Sequence, residues 1–203
     1  SSAASDVYKR QAEYLAITDA ARRFVPHIGL AGDFIVGFPG ETEDDFEATV
    51  ELVRRVRYQN VFVFKYSPRP GTTADRLRAD DLPYETKVRR NNELLAVQTE
   101  ISREHKQGLV GRSFEVLVEG YSKSAQQARR QTGGRRHGHQ AGDRGPARPP
   151  NQASQLVGRT PSDLIAVFDG GPEHIGALVN IRVEAASPLT LFGRIESVVS
   201  KPR

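Results

Sequence analysis

Residues 32–41, Gly-Asp-Phe-Ile-Val-Gly-Phe-Pro-Gly-Glu, have the layout of a strand that ends in a ligand-facing turn. Phe34-Ile35-Val36 is a short apolar run with strand propensity, and Gly37-Phe38-Pro39-Gly40 sets special backbone angles. Gly37 and Gly40 allow close main-chain approach to a ligand, and the amides opening the next helix can meet polar groups. The acids from Glu41 to Asp45 suit the positive end of that helix. A second set, Tyr66, Ser67 and Arg69, follows the next predicted strand. A tyrosine there can stack on a base, and an arginine can grip phosphate or carboxylate. Two readings of each set stay open. The first turn either contacts a ligand or only reverses the chain, with Glu41 capping the helix. The second either binds substrate or is a proline-rich turn with Arg69 in solvent.

The elements that must position these residues alternate. The pattern predicts a helix over 8–24, a strand over 31–36, a helix over 42–57 with Phe46, Val50, Val53 and Val56 on one stripe, and a buried strand over 60–66. Pro83, at a first helical position, starts a long helix reaching about Gln107. This is βα-unit grammar and predicts parallel strands. After Gly108 the pattern changes. Segments 112–119, 155–160, 164–169, 177–184 and 189–197 are short, β-rich and bounded by Gly/Pro turns, as in a small five-stranded barrel. The expected fold is therefore α/β plus β, with one domain over 1–107 and a second over 108–199.

Charge is concentrated. Residues 121–154 carry seven cations against Asp143 alone, a net +6 in a chain of net +4, so the remainder is −2. This segment is rich in Gly, Pro, Gln and Arg, and the composition predicts a disordered basic loop over about 122–154. Arg112, Lys123, Arg159 and Arg194 fall at predicted barrel-strand ends or turns, where they can meet RNA phosphate. Tyr121 is a candidate stacking residue, whereas Phe168 and Phe192 are expected in the core. Arg89-Arg90 on the long helix is expected to be a solvated face.

Cysteine is absent, which excludes disulfides, thiolate metal ligands and a cysteine nucleophile within these 203 residues. Of the histidines only His137-Gly-His139 has close spacing, too few ligands for a closed zinc site, and no metal site or catalytic residue is expected. No apolar run approaches the ~18 residues of a membrane span. The expectation is a cytoplasmic monomer with no membrane partner. A chain without methionine that opens on serine is expected to be a piece of a longer protein.

The motifs Asp33-Phe-Ile-Val-Gly-Phe-Pro-Gly-Glu-Thr42, Tyr66-Ser-Pro-Arg-Pro-Gly-Thr72, Leu109-Val-Gly-Arg112, Glu115-Val-Leu-Val-Glu-Gly120 and Gly158-Arg159-Thr160 carry a resemblance. In this order they resemble the C-terminal part of the radical S-adenosylmethionine methylthiotransferases, with residues 108–199 similar to their RNA-binding TRAM barrel. The resemblance implies the last βα units of a partial TIM-like barrel. It implies S-adenosylmethionine and two 4Fe-4S clusters in the parent enzyme, with Val36, Gly37 and Glu41 as cofactor contacts and Tyr66, Ser67 and Arg69 on the substrate side. Arg69-Pro70 resembles the branch acting on tRNA, at the anticodon stem-loop. The implied reaction adds a methylthio group to N6-dimethylallyladenosine; the sister activity on threonylcarbamoyladenosine and a non-catalytic RNA-binding module are the alternatives. All six cluster cysteines of the family are missing here, so the piece alone is expected to be inactive.

Overall fold

The structure is a computed structural model that describes residues 2–77, 79–133 and 154–200. It divides into two compact units, 1–105 and 106–203.

In the first unit, helix α1 (Ser2–Phe24) precedes strand β1 (Ala31–Val36), helix α2 (Glu43–Val56) and strand β2 (Asn60–Lys65). A short helix α3 (Thr73–Leu77) and the long helix α4 (Tyr84–Gln107) follow. β1 and β2 pair in parallel, with Phe34 opposite Val63 and Ile35 opposite Phe64. α2 starts where the sequence supplies a capping box: the Asp45 amide donates to Thr42 Oγ1 at 3.2 Å and the Thr42 amide to Asp45 Oδ2 at 3.0 Å. At its other end Arg22 of α1 donates to the carbonyls of Val56 (2.5 Å) and Arg57 (3.3 Å), satisfying acceptors that a helix C-terminus leaves open. Pro83 lies one step earlier than expected, as the residue before α4, and its carbonyl accepts the Lys87 amide.

Side chains alternate across a strand, so each strand has two faces. Val36 and Val61 turn to the helices and join Phe46, Val50, Val53, Val56, Tyr58, Leu94 and Ile101 in the core of this unit. The opposite face is open: Ile35 is 56% exposed, Phe62 52% and Phe64 53%. The expectation of a fully buried second strand therefore fails on one face.

In the second unit, β3 (Ser113–Tyr121), β4 (Gln155–Arg159), β5 (Ile165–Asp169), β6 (Leu178–Ala186) and β7 (Leu191–Ser200) close into a barrel in the order β3-β4-β5-β7-β6. All neighbours are antiparallel except β5 and β7. Inward residues such as Val116, Val118, Leu156, Phe168, Val179, Ile181 and Leu191 fill it. A single 3-10 turn, Pro172–His174, links β5 to β6. Closure leaves no edge strand to pair with another chain.

Two expectations are corrected here. The basic segment is not loop throughout: Lys123–Gly133 forms helix α5. Ser122 caps it, its Oγ accepting the Ala125 amide at 3.1 Å, and Ala125 is fully buried. The rest of the segment, with His137 and His139, lies outside the described residues. Phe168 is in the core as expected, but Phe192 is 39% exposed on the outer face of the barrel.

Candidate functional site: a cleft at the strand ends and a basic barrel surface

The turn after β1 is held from below. Gly37 has φ of 72°, a left-handed conformation that favours glycine, and a Cβ there would meet Lys87 Cγ at 2.4 Å. Its amide donates to Glu41 Oε2 at 2.6 Å. The same oxygen accepts Arg90 Nη1 at 2.6 Å, and Arg90 also donates to the Glu41 carbonyl and to Glu43 Oε2 at 3.0 Å. Arg90 is 3% exposed and its guanidinium lies 5.4 Å from the Phe46 ring centroid. It is not the solvated residue its type suggests; Arg89, on the exposed side, holds Glu43 with two contacts of 2.7 and 2.8 Å. Hydrogen bonds from Arg89 and Arg90 keep the Glu43 carboxyl below its ordinary pKa. Thr42 bonds do the same for Asp45.

These contacts fix the parts played by the first candidate set. Val36 is fully buried, and its carbonyl accepts the Tyr66 amide at 2.9 Å. The Glu41 carboxylate is committed to Gly37 and Arg90. Thr42, not Glu41, caps α2. At this turn the Val36 carbonyl and the Gly37 amide are thus already paired, and the exposed Phe38 is the turn residue whose side chain reaches the neighbouring cleft.

The second set is brought together. Tyr66, Ser67 and Arg69 line a cleft of about 440 Å³ at the carboxyl ends of β1 and β2. Ile35, Phe38 and Phe64 form its apolar wall, with Lys65 and Thr72 beside them. The Tyr66 ring meets Phe38 edge-on, centroids 5.0 Å apart. Lys65 Nζ donates to the Tyr84 hydroxyl at 2.9 Å. Arg69 has no ion-pair partner among the described residues. An aromatic wall with an uncommitted guanidinium at its rim suits a flat or apolar group carrying an anion. Its lining has no carboxylate, histidine or thiol to move a proton or act as nucleophile.

The four barrel cations stand on separate elements and differ in availability. Arg159 pairs with Asp163 at 2.6 Å and Glu119 at 3.4 Å, and Arg194 with Glu184 at 3.2 Å. Arg112, in the turn before β3, and Lys123, opening α5, are exposed and have no ion-pair partner among the described residues. Arg129 lies over the Tyr121 ring at 4.1 Å, which covers the surface expected to stack on a base.

Residues 149–195 match the family model of the TRAM domain. The chain is 41% identical over 187 residues to a tRNA-2-methylthio-N(6)-dimethylallyladenosine synthase of Rhodopirellula baltica, covering 92% of this chain and 35% of that protein. It is 37% identical over 182 residues to the synthase of Porphyromonas gingivalis, covering 90% and 34%. It is 38% identical over 180 residues to that of Bacteroides thetaiotaomicron, covering 89% and 34%. The chain is similar to these synthases over most of its own length. It spans about a third of their length.

Against this relationship, the cofactor chemistry divides. Iron–sulfur clusters need thiolates, and the 203 residues contain no cysteine. No group of three or more His, Asp or Glu among the described residues is placed to hold a metal either. The residues present do not fit a cluster. The cleft and the barrel cations, by contrast, consist wholly of residues of this chain. Sequence reasoning missed Phe38, Phe64 and Lys65 of the cleft, and Lys87 and Arg90 beneath it. A signal existed for the last two: Lys87, Arg90, Leu94, Gln98 and Ile101 follow 3- and 4-residue steps along one stripe of α4, all buried.

Proposed function

We propose that the chain is the C-terminal portion of a radical S-adenosylmethionine tRNA methylthiotransferase, and that its own part is to bind and orient the anticodon stem-loop. The observation that carries this is the identity to the synthases, which extends over 92% of the chain and so through both units. The apolar face of Ile35, Phe62 and Phe64 fits the interior of a larger βα barrel, of which β1-α2-β2 would be two consecutive strands and their crossover. In such barrels ligands gather at the carboxyl ends of the strands, where the cleft lies. Tyr66 and Phe38 would stack on or flank N6-dimethylallyladenosine, Ser67 would hydrogen-bond to it, and Arg69 would take a phosphate. Main chain at Val36 and Gly37 would contour S-adenosylmethionine, while Glu41 holds the turn. The parent enzyme's S-adenosylmethionine and two 4Fe-4S clusters would supply the radical chemistry; this chain has no ligands for the clusters. By the same lack of cysteine the chain alone would not catalyse the radical reaction; its proposed role is RNA binding, as a monomer in the cytoplasm. No described helix is long and apolar enough to cross a membrane.

Fluorescence anisotropy with an anticodon stem-loop across a salt series tests the binding half. Arg112 and Lys123 carry uncommitted charge, so replacing both with alanine should flatten the log Kd against log salt slope by about 1.5, the equivalent of two phosphate contacts. Arg159→Ala and Arg194→Ala should each change it less, because neighbouring carboxylates already neutralise those side chains. Equal effects from both pairs would show that the ion pairs open on binding and overturn the ranking. Anaerobic reconstitution with iron and sulfide should leave no cluster on the chain; stoichiometric iron and sulfide would sink the assignment of the clusters to other residues of the parent.

A further inference from the structure

Lys87 sits on the buried stripe of α4 with its side chain 5% exposed, yet it does not line the cleft. Its stem packs beneath Gly37, where a Cβ would collide with it. Its ammonium donates to Asp80 Oδ1 at 2.5 Å and lies 5.3 Å from the centroid of Tyr66. Asp80 and Tyr66 bracket one segment, 66–80, that carries Arg69, Thr72 and α3. The next residue, Asp81, accepts the Gly40 amide at 3.0 Å. The far end of the segment is thus tied to the turn after β1, and its near end is tied there too through the Tyr66 amide on the Val36 carbonyl. Within it, the Arg69 carbonyl accepts both the amide (3.2 Å) and hydroxyl (2.9 Å) of Thr72, which fixes the turn presenting the Arg69 guanidinium. A buried ammonium needs its carboxylate, so the Lys87–Asp80 pair holds only one arrangement of this segment at low cost.

We propose that Lys87 is a positioning residue: paired with Asp80, it latches segment 66–80 in the form whose Tyr66 and Arg69 receive an anionic nucleotide. The proposal rests on the reading of the cleft as the substrate site. The geometry explains why a lysine occupies a core position of α4. An apolar residue would fill the space under Gly37 but leave the far end of the segment to the exposed Gly40–Asp81 bond alone. The ammonium also places positive charge near the Tyr66 face, which orients the ring against Phe38.

The test uses the full chain and N6-dimethylallyladenosine 5′-monophosphate as probe, titrated by calorimetry, with hydrogen exchange of 66–80 followed in parallel. Lys87→Met keeps the stem and removes the charge; Asp80→Asn removes its partner. If the latch-free segment is ordered only about a tenth of the time, Kd rises about tenfold and exchange over 66–80 accelerates by a similar factor. Exchange in β1 stays as in the wild type, and Lys87→Arg recovers most of the affinity. Wild-type affinity and exchange in both variants would overturn the latch. Should Lys87→Met fail to fold, Asp80→Asn decides alone. Should the wild type not bind the nucleotide, the cleft reading fails while exchange still decides the latch: acceleration confined to 66–80 supports it, and unchanged rates overturn it.

Discussion

Replacing Arg90 with alanine should cost the first unit about 3–5 kcal/mol, the range for breaking a buried ion pair from one side. The side chain is 3% exposed and its partner Glu41 11%, so neither can turn to water without moving the turn. Removal leaves Glu41 Oε2 with the Gly37 amide alone, and strips Phe46 of the cation over its ring. Arg90→Lys should recover little, because a point charge cannot reach Glu41 Oε2, the Glu41 carbonyl and Glu43 together as the planar fork does. Arg89→Ala is the matched comparison. Its pairs with Glu43 and Glu93 are solvent-exposed, so its loss should cost far less than that of Arg90. Hydrogen exchange in β1 and β2, read as protection lost, measures both. A loss below about 1 kcal/mol for Arg90→Ala would mean that Glu41 finds solvent easily, contrary to the burial argument.

Acid should act on the same place with a definite sign. Glu43 and Asp45 have lowered pKa values when folded. Their contribution is therefore complete above the ordinary carboxylate range, and it is lost as pH falls through the lowered folded values. Arg90→Ala should weaken this acid dependence, since it removes one of the two hydrogen bonds that lower Glu43.

The sequence was most legible where one local rule had no competitor. β1 falls on 31–36 as read, because an apolar run stops at Gly37. α2 is one residue shorter at each end than the predicted 42–57, and its stripe of Phe46, Val50, Val53 and Val56 is the buried one. The barrel strands follow from alternation between Gly/Pro turns, and each begins within about two residues of its predicted start. Illegibility had particular causes. The run Val61-Phe-Val-Phe64 looks buried on both faces, but periodicity cannot report that only one face is covered. α5 hides in a composition typical of loops, because its helix depends on one cap, Ser122, and one buried alanine, Ala125. Arg90 was misjudged by residue type, although its spacing from Leu94 put it on the core stripe. The cleft itself depends on Phe38 and Tyr66 meeting across two turns, a contact between residues far apart in sequence.

Gly193→Ala should damage the barrel by about 3 kcal/mol or more, the upper part of the range for overpacking. Gly193 lies in β7 between two strands, opposite Phe168 of β5 and Val183 of β6. An added Cβ would sit 2.1 Å from the Arg182 carbonyl oxygen and 2.9 Å from its carbon. Both are backbone atoms, so no side chain can swing aside; β6 must move. That strand is held on its far side by β3, where Ile181 faces Phe114 and Arg182 faces Ser113. In an open sheet an outer strand could slide away, but in a closed ring the displacement passes from β6 to β3 and on to β4. Ile181 and Val183, fully buried next to the clash, would lose their packing. Gly171→Ala separates this from a general intolerance of glycine replacement. There the atoms nearest the added Cβ belong to the Glu173 carboxylate, the end of an exposed and flexible side chain, so the change should stay within about 0.5 kcal/mol. Thermal unfolding followed by the β-sheet circular dichroism signal compares the two, with stem-loop affinity measured alongside. If tRNA recognition belongs to the folded barrel, affinity should fall with Gly193→Ala at temperatures where the ring has opened and persist with Gly171→Ala. Binding that survives the loss of the barrel signal would assign recognition to the basic segment after Tyr121 instead.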